Sequence, residues 1–534
     1  MNQTDSQCLR QTEVPGCTPL FIDLLYHFDR VSRFYSHSPQ LSSMREAARS
    51  IELDPGHRSR LVAALRQQNE GTATAANLDL LAQPETVVVA TGQQVGYYGG
   101  PVFTLYKALT ALKLAAELRD GGTPAVAVFW LATEDHDLAE VDHAWIFQSS
   151  GEPLRLDAQA EKASGRPVGG VKLHDPAPGL LDGALGPMPF GPEVRDLARR
   201  AYATDGTFRS GFHRLYRNLL ESYGLIFLDP MVPDLRQLAA PIFRGAIAEA
   251  PALSQALLER NTELTSVGYH AQVHFTEETS LIFLIEQGRR IALQRSGDTY
   301  TGGGVKYTTA ELLQRLEGNP AGFSPNALLR PVTQDWLLPT AVYVGGPAEL
   351  AYLAQAQVIY KRLLGRMPVV TPRASFTVLD SRSQRLMQRY RLGVTDCFDG
   401  LEILRRTIAE RLVPPSLEYT LLDAEGTISA ALDGIDRDLR RFDPTLAAAL
   451  AASNRKIRYQ FGKIRAKVGL ESLRRDGQAE SDAAYLSHLI FPEKTLQERL
   501  YSPLPFLAQH GFDFIDRIYT AIQPDCHDHQ VLAV

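Results

Sequence analysis

The stretch that decides the fold runs from Glu85 to Leu131. It reads ETVVVA (85–90), TGQQVGYYGG (91–100), PVFTLYKALTALKLAAELR (101–119), a stop at Gly121 and Gly122, and AVAVFWL (125–131). Three consecutive valines bounded by polar and glycine residues suit a strand buried on both faces. Pro101 suits the first residue of a helix, and paired glycines suit its end. The whole is a strand–loop–helix–strand unit, long enough for a right-handed crossover between parallel strands. The grammar recurs at TAVYV (340–344), Gly345-Gly346-Pro347, a helix from Ala348 to Leu364, and a strand from Met367 to Val370. GLIFL (224–228) reads as one more strand. The fold class is α/β, with a Rossmann-type parallel-sheet core.

Working outward, residues 1–84 read as helical, with GTATAAN (71–77) as a loop. Residues 148–203 are rich in glycine and proline. Residues 268–310 alternate in polarity, as in GYHAQVHF (268–275), and read as a small β module. Beyond about residue 395 the chain turns helical. Ile428, Leu432, Ile435, Leu439 and Phe442 step by four and three, a coiled-coil seam. Asp443-Pro444 breaks it, and Leu446, Leu450, Ile457, Ile464 and Val468 resume it, so the reading is a long antiparallel hairpin. The expected division is core at 1–147, connective insert at 148–203, core at 204–240, β-containing insert at 241–322, core at 323–395 and helical dimerisation domain at 396–534.

Composition sets the bounds. The chain has 534 residues, 44% hydrophobic and 22% charged, as in soluble globular proteins. With 55 basic and 61 acidic side chains the net charge is −6, which argues against nucleic acid as a partner. Four scattered cysteines and no CxxC give neither a disulfide framework nor support for zinc. MNQTDSQCLR lacks a charged segment followed by an apolar one, and the longest apolar run is about half a membrane span. The expectation is a cytoplasmic protein with no membrane partner. Cys526-His527-Asp528-His529 reads as a frayed tail.

In an open parallel sheet, ligands bind beyond the carboxyl ends of the strands. Two segments fall there. In the loop after the first strand, Gly96, Gly99 and Gly100 permit close backbone approach, and Gln93 and Gln94 add polar groups that a mere turn does not need. The helix beginning at Pro101 offers free N–H groups to a phosphate, with Thr104 and Lys107 in its first two turns. This is the expected nucleotide side. The second segment, TEDHD (133–137), concentrates Glu134, Asp135, His136 and Asp137, groups suited to hold an ammonium, position magnesium or act as a base. These four are the candidate catalytic residues, and no metal site is assigned. A third cluster, Arg330, Glu349, Tyr352 and Arg373, surrounds the late strand and suits the binding of substrate carboxylates.

The blocks TGQQVGYYGGPVFTLYK, VFWLATEDHD, GLIFLDP (224–230), FSPNALLRPVTQDWLLPTAVYVGGPAELAY (323–352), PVVTPRAS (368–375) and FPEKTLQERLYSPLPFLAQHG (491–511) stand in family order. In them the chain resembles the bacillithiol biosynthesis cysteine-adding enzymes. The resemblance implies a Rossmann core with connective inserts and a coiled-coil domain that forms a homodimer. It implies a ligase that joins cysteine to glucosaminyl malate by an amide bond, the last step of that pathway. ATP, leaving as ADP or AMP and assisted by magnesium, is the expected activator. Gln94-Val95-Gly96-Tyr97 stands where class I aminoacyl-tRNA synthetases carry histidines, so that motif is absent. Two other readings stay open: a ligase for a different amino acid and amine, and a non-catalytic nucleotide-binding dimeric scaffold.

Overall fold

A computed structural model describes residues 7–163, 165–174, 178–203 and 206–534. The first six residues, part of the segment read for a targeting signal, lie outside the described residues.

Five parallel strands form the central sheet: β1 (Val87–Gln93), β2 (Ala125–Leu131), β3 (Ile226–Leu228), β4 (Thr340–Gly345) and β5 (Val369–Pro372). Their order is β5-β4-β1-β2-β3. β1 and β2 pair in register from Val87 opposite Ala125 to Gln93 opposite Leu131, and Val342 of β4 lies opposite Val89 of β1. The chain therefore builds outward from β1 to β2 and β3, then returns to the other side of β1 for β4 and β5. The strand order reverses between β1 and β4, the place where doubly wound sheets open a crevice.

Alternation along the strands explains the two cores. Val87, Val89, Ala127 and Phe129 face one cluster, which includes Leu105 and Leu109 of α1 (Phe103–Asp120). Val88, Ala90, Val126 and Val128 face the other, with Val332 of α2 (Arg330–Leu337) and Leu350, Leu353 and Ile359 of α3 (Pro347–Leu363). Helices on both faces make every central strand apolar throughout, as the valine run requires.

The inserts differ in detail from the sequence reading. Residues 148–203 contribute a strand at Pro153–Asp157, paired with His143–Phe147, and helices at Pro178–Leu185 and Gly191–Ala201. The β module is an antiparallel sheet of Thr279–Glu286, Arg289–Ser296, Thr299–Gly302 and Val305–Thr308. Phe323–Pro325 completes it, pairing with Thr279–Glu286, so this segment belongs to the insert and not to the core. GYHAQVHF is not a strand. The Val273 N–H and carbonyl are both bonded by the Gln355 amide of α3, at 2.8 and 3.0 Å, which replaces a ladder with a side chain. GTATAAN is likewise no loop: Thr72–Leu81 is a helix, since alanines favour one and Gly71, at φ 106°, turns the chain into it.

The C-terminal helices form the hairpin read from the heptads. α4 (Pro415–Phe442) and α5 (Pro444–Asp476) meet at Asp443, whose carboxylate caps α5 by accepting from the Thr445 N–H at 2.8 Å. Arg465–Glu425 and Arg458–Ser429 contacts fix the antiparallel register. The tail is ordered and not frayed. His529–Ala533 pairs with Ser375–Leu379 and with Gln7–Leu9 in a separate three-stranded sheet that joins the two ends of the chain. Among the described residues no helix is long and apolar enough to cross a membrane.

Candidate functional site

A cavity of about 650 Å³ opens at the reversal point, beyond the ends of β1, β2 and β4. Its floor carries Gly92, Gln93, Gln94 and Trp130. One wall is Glu134, Asp135 and His136. Arg330, Gly346 and the first residues of α3, from Pro347 to Glu349, line the cavity as well. Arg373 and Arg499 close one side, and Phe283, Arg290 and Asn326 of the β insert close the other.

The glutamines at and just beyond the end of β1 line the cavity and bond its other polar side chains. The Gln93 side-chain oxygen accepts from the Lys107 ammonium at 2.7 Å. The Gln94 amide bridges Asp135 at 2.8 Å and Glu140 at 2.7 Å. Lys107 is fully buried, donates to the Gly92 carbonyl at 3.0 Å, and pairs with Glu349. Burial pushes its ammonium down, opposed by the Glu349 charge. Glu349 also accepts from the Tyr343 hydroxyl at 2.7 Å and the Gly346 N–H at 2.8 Å.

The glycines are a correction. Gly96, Gly99, Gly100 and Thr104 do not line the cavity. Their loop is folded inward, where the Tyr202 hydroxyl accepts from the Gly99 N–H at 3.0 Å and donates to the Gly96 carbonyl at 3.1 Å. The Tyr216 hydroxyl donates to the Gly99 carbonyl at 2.9 Å. A Cβ on Gly96 would stand 2.8 Å from the Gly100 Cα, and Gly99 has φ +88°, so glycine is needed here for packing. The α1 N-terminus is covered as well: the Val102 N–H bonds the Tyr501 carbonyl at 2.7 Å, and Thr104 is buried. Of α1, Phe103 and Lys107 line the cavity, and the start of α3, which the repeated Gly-Gly-Pro signal marks in the sequence, lines it with Gly346, Pro347, Ala348 and Glu349.

The TEDHD residues separate. Glu134 lines the cavity, but its carboxylate is locked in a buried pair with Arg236. Asp135 accepts from Gln94, from the His136 N–H at 2.7 Å and from Arg290 at 3.4 Å. Burial works against its charge, but the His136 backbone N–H, the Gln94 amide and the Arg290 guanidinium outweigh it and hold the carboxyl well below the usual range. His136 accepts at Nδ1 from Arg290 at 3.1 Å. Asp137 is exposed and lies outside the lining, since the chain turns there into a short helix at Leu138–Glu140. Glu140 takes its place at the rim, and partial burial pushes its carboxyl up.

The third cluster also divides. Arg330 donates to the Tyr343 and Tyr352 hydroxyls at 3.1 and 3.2 Å and to Gln334 at 3.2 Å, and forms no ion pair among the described residues. Arg373 is committed elsewhere: its fork is satisfied by both oxygens of buried Glu498, at 2.8 and 2.6 Å. Such a fork-to-fork pair leaves little for a ligand. Three contributors were missed in the sequence. Arg290 and Phe283 arrive from the insert, and Arg499, exposed and without an ion pair among the described residues, arrives from the helix at Gln497–Leu500. For Arg499 a signal existed, in the block FPEKTLQERLYSPLPFLAQHG. For Arg290, in an alternating strand, there was none.

Sheet order, a ligand cavity at the reversal point and an appended helical hairpin define a Rossmann-like protein with a coiled-coil domain. The comparisons agree. Residues 5–374 match the family described as "Bacillithiol biosynthesis BshC, N-terminal Rossmann-like domain", and residues 376–534 match its "C-terminal coiled-coil domain". The protein named "Putative cysteine ligase BshC" from Solibacter usitatus (strain Ellin6076) is 49% identical over 528 residues, covering 99% of each chain. That of Koribacter versatilis (strain Ellin345) is 36% identical over 531 residues, again 99% of each. The chain belongs to the BshC family of bacillithiol biosynthesis.

Proposed function

We propose that this protein is a cysteine ligase, joining the carboxyl of cysteine to the amine of glucosaminyl malate to complete bacillithiol. The observation that carries the reading is the polarity of the cavity. Glu140 gives the cavity an anionic group with no cation partner among the described residues, while Asp135 is neutralised by Arg290. Arg330 and Arg499 also line the cavity, without carboxylate partners among the described residues, and hold the malate carboxylates in this reading.

An amide bond requires an activated carboxylate, and ATP supplies it in this reading. The N-terminus of α3, with Gly346, Pro347 and Ala348 on the cavity, is the phosphate-facing element in place of α1. Magnesium arrives with the nucleotide, needing only one or two carboxylates in addition to phosphate oxygens. Glu140, bonded by the Gln94 amide and by no cation among the described residues, suits that role. Among the described residues no cluster of three metal-ligating side chains is present. We further propose a cytoplasmic homodimer. Ile435, Phe442, Leu446 and Ile464 of the hairpin remain exposed in the single chain, as a seam awaiting a second copy does.

The test is mass spectrometry of purified protein with cysteine, glucosaminyl malate, ATP and magnesium. Bacillithiol with an equal amount of ADP or AMP supports the ligase. Nucleotide binding by a folded dimer with no amide product rejects it in favour of a scaffold.

A further inference from the structure

Deepening the acyl-transfer reading just given, and resting on it for the chemistry, we infer that Arg290 is a positioning residue that fixes His136 as the Nε2–H tautomer, so that the ring offers the cavity a hydrogen-bond donor to an acyl oxygen and not a base.

A guanidinium only donates. Its NH1 lies 3.1 Å from His136 Nδ1, which must therefore present a lone pair. The other tautomer would turn an Nδ1–H toward Asp135 Oδ1 at 3.5 Å and leave two donors facing each other at the shorter distance. Arg290 cannot turn away to relieve this. Its Nε donates to the Ser324 hydroxyl at 2.9 Å, its NH2 to the Pro325 carbonyl at 2.6 Å, and its plane lies 4.0 Å over the Phe283 ring. The side chain is 8% exposed. Every one of these anchors belongs to the β insert, so the insert holds the guanidinium and the core brings His136 to it. With Nδ1 occupied, the proton of the neutral ring sits on Nε2. That atom makes no hydrogen bond among the described residues, and His136 lines the cavity. Asp135 is not the base either, because Gln94, Arg290 and the His136 N–H already occupy both of its oxygens.

In the reaction, the amine nitrogen attacks the carbonyl carbon of an acyl phosphate or acyl adenylate. The C–N bond forms and the carbonyl π pair moves onto oxygen, where the Nε2–H bonds it. The pair then returns, the C–O bond to phosphorus breaks, and phosphate or AMP leaves with that bonding pair. The surplus proton on nitrogen passes to the departing phosphate oxygen or to water. A donor placed where charge develops is worth on the order of 100- to 1000-fold in kcat.

Three measurements on the full-length protein decide the matter. A glutamine amide replaces the Nε2–H donor but carries no proton for general acid or base work. His136→Gln is expected to keep kcat within roughly 30-fold of wild type, while His136→Ala loses ~100-fold or more. Equal inactivity of the two overturns the donor role. Arg290→Gln is expected to lower kcat about 10-fold with KM little changed, and to cost under about 3-fold in the His136→Gln background. The same loss in both backgrounds makes Arg290 merely structural, and Arg290→Lys serves for this cycle should Arg290→Gln fail to fold. Finally, solid-state ¹⁵N NMR of histidine-labelled protein without substrates, compared with His136→Gln, is expected to show an unprotonated Nδ1 and a protonated Nε2. The reverse pattern overturns the positioning by Arg290. Because that spectrum needs no turnover, a protein that makes no amide yet shows this tautomer, and loses Nδ1 hydrogen bonding in Arg290→Gln, rejects the ligase reading and leaves Arg290's effect on His136 standing; a His136 spectrum unchanged in Arg290→Gln overturns that effect.

Discussion

Lys107 and Glu349 form an ion pair that ties the helix after β1 to the helix after β4, across the point where the strand order reverses. The pair clamps the floor of the cavity, because Lys107 also holds Gly92 and Gln93 while Glu349 caps α3 at Gly346. Removing one partner of a buried pair leaves an uncompensated charge, at a cost of about 3–5 kcal/mol. Glu349 borders the cavity, so the lower end is expected for Lys107→Met, read from urea unfolding. The double variant Lys107→Met, Glu349→Gln is expected to recover part of the loss. A single variant as stable as wild type would show that the pair does not hold the two helices.

The two arginines assigned together from sequence are expected to part in experiment. Arg373→Gln breaks a buried bidentate pair with Glu498, so it lowers stability by about 3–5 kcal/mol. Arg330→Gln and Arg499→Gln remove guanidinium groups that have no carboxylate partner among the described residues. They are expected to raise KM for glucosaminyl malate about 10-fold or more while leaving the urea midpoint of Arg499→Gln unchanged. Unchanged KM in both variants removes the carboxylate-binding role from this wall.

The glycine loop is expected to report on folding and not on nucleotide. Tyr202→Phe deletes a hydroxyl that both accepts from Gly99 and donates to Gly96 in a fully buried setting. A loss of about 1 kcal/mol follows, because the Gly99 N–H and the Gly96 carbonyl keep their mutual hydrogen bond at 3.2 Å. ATP affinity of the folded variant, measured calorimetrically, is expected to match wild type. A fall in affinity with unchanged stability would restore the loop to the nucleotide side.

These contrasts show what was legible in the residues. Val87, Val88 and Val89 announced a doubly buried strand because burial on both faces leaves no polar position, and the heptad from Ile428 to Phe442 announced α4 by its spacing alone. TEDHD was found because five polar residues at a strand end have few other uses. Its division of labour was not legible. Arg236, which locks Glu134, stands 102 positions away, and Arg290, which holds His136, stands 154 away. Local sequence carries no record of such partners. The same is true of the His529–Ala533 strand, whose neighbours begin at Gln7 and Ser375. Glycine was ambiguous for a different reason: the residue that lets a ligand approach the backbone also lets Tyr202 do so.

His529 links that last sheet to pH. It is fully buried, with Nδ1 at 2.7 Å from the Ser375 hydroxyl and Nε2 at 2.8 Å from that of Thr377. Burial pushes the imidazole down to about 4, the Glu498 charge opposing and the Arg373 charge adding to it. Burial likewise pushes His213 and His510 down to about 4. In each case the folded chain resists a proton that the unfolded chain accepts near pH 6.5. The unfolded state therefore binds more protons between those values, and stability is full above pH 6.5 and falls as pH drops toward 4. For His529, the most enclosed of the three, the loss approaches about 3 kcal/mol by pH 4. Between pH 7 and 5, before carboxylates titrate, urea unfolding is expected to show a steep positive dependence of stability on pH. His529→Gln is expected to lower stability at pH 7 and to reduce that slope by about one proton. An unaltered slope in the variant would mean that His529 takes up its proton without unfolding the chain.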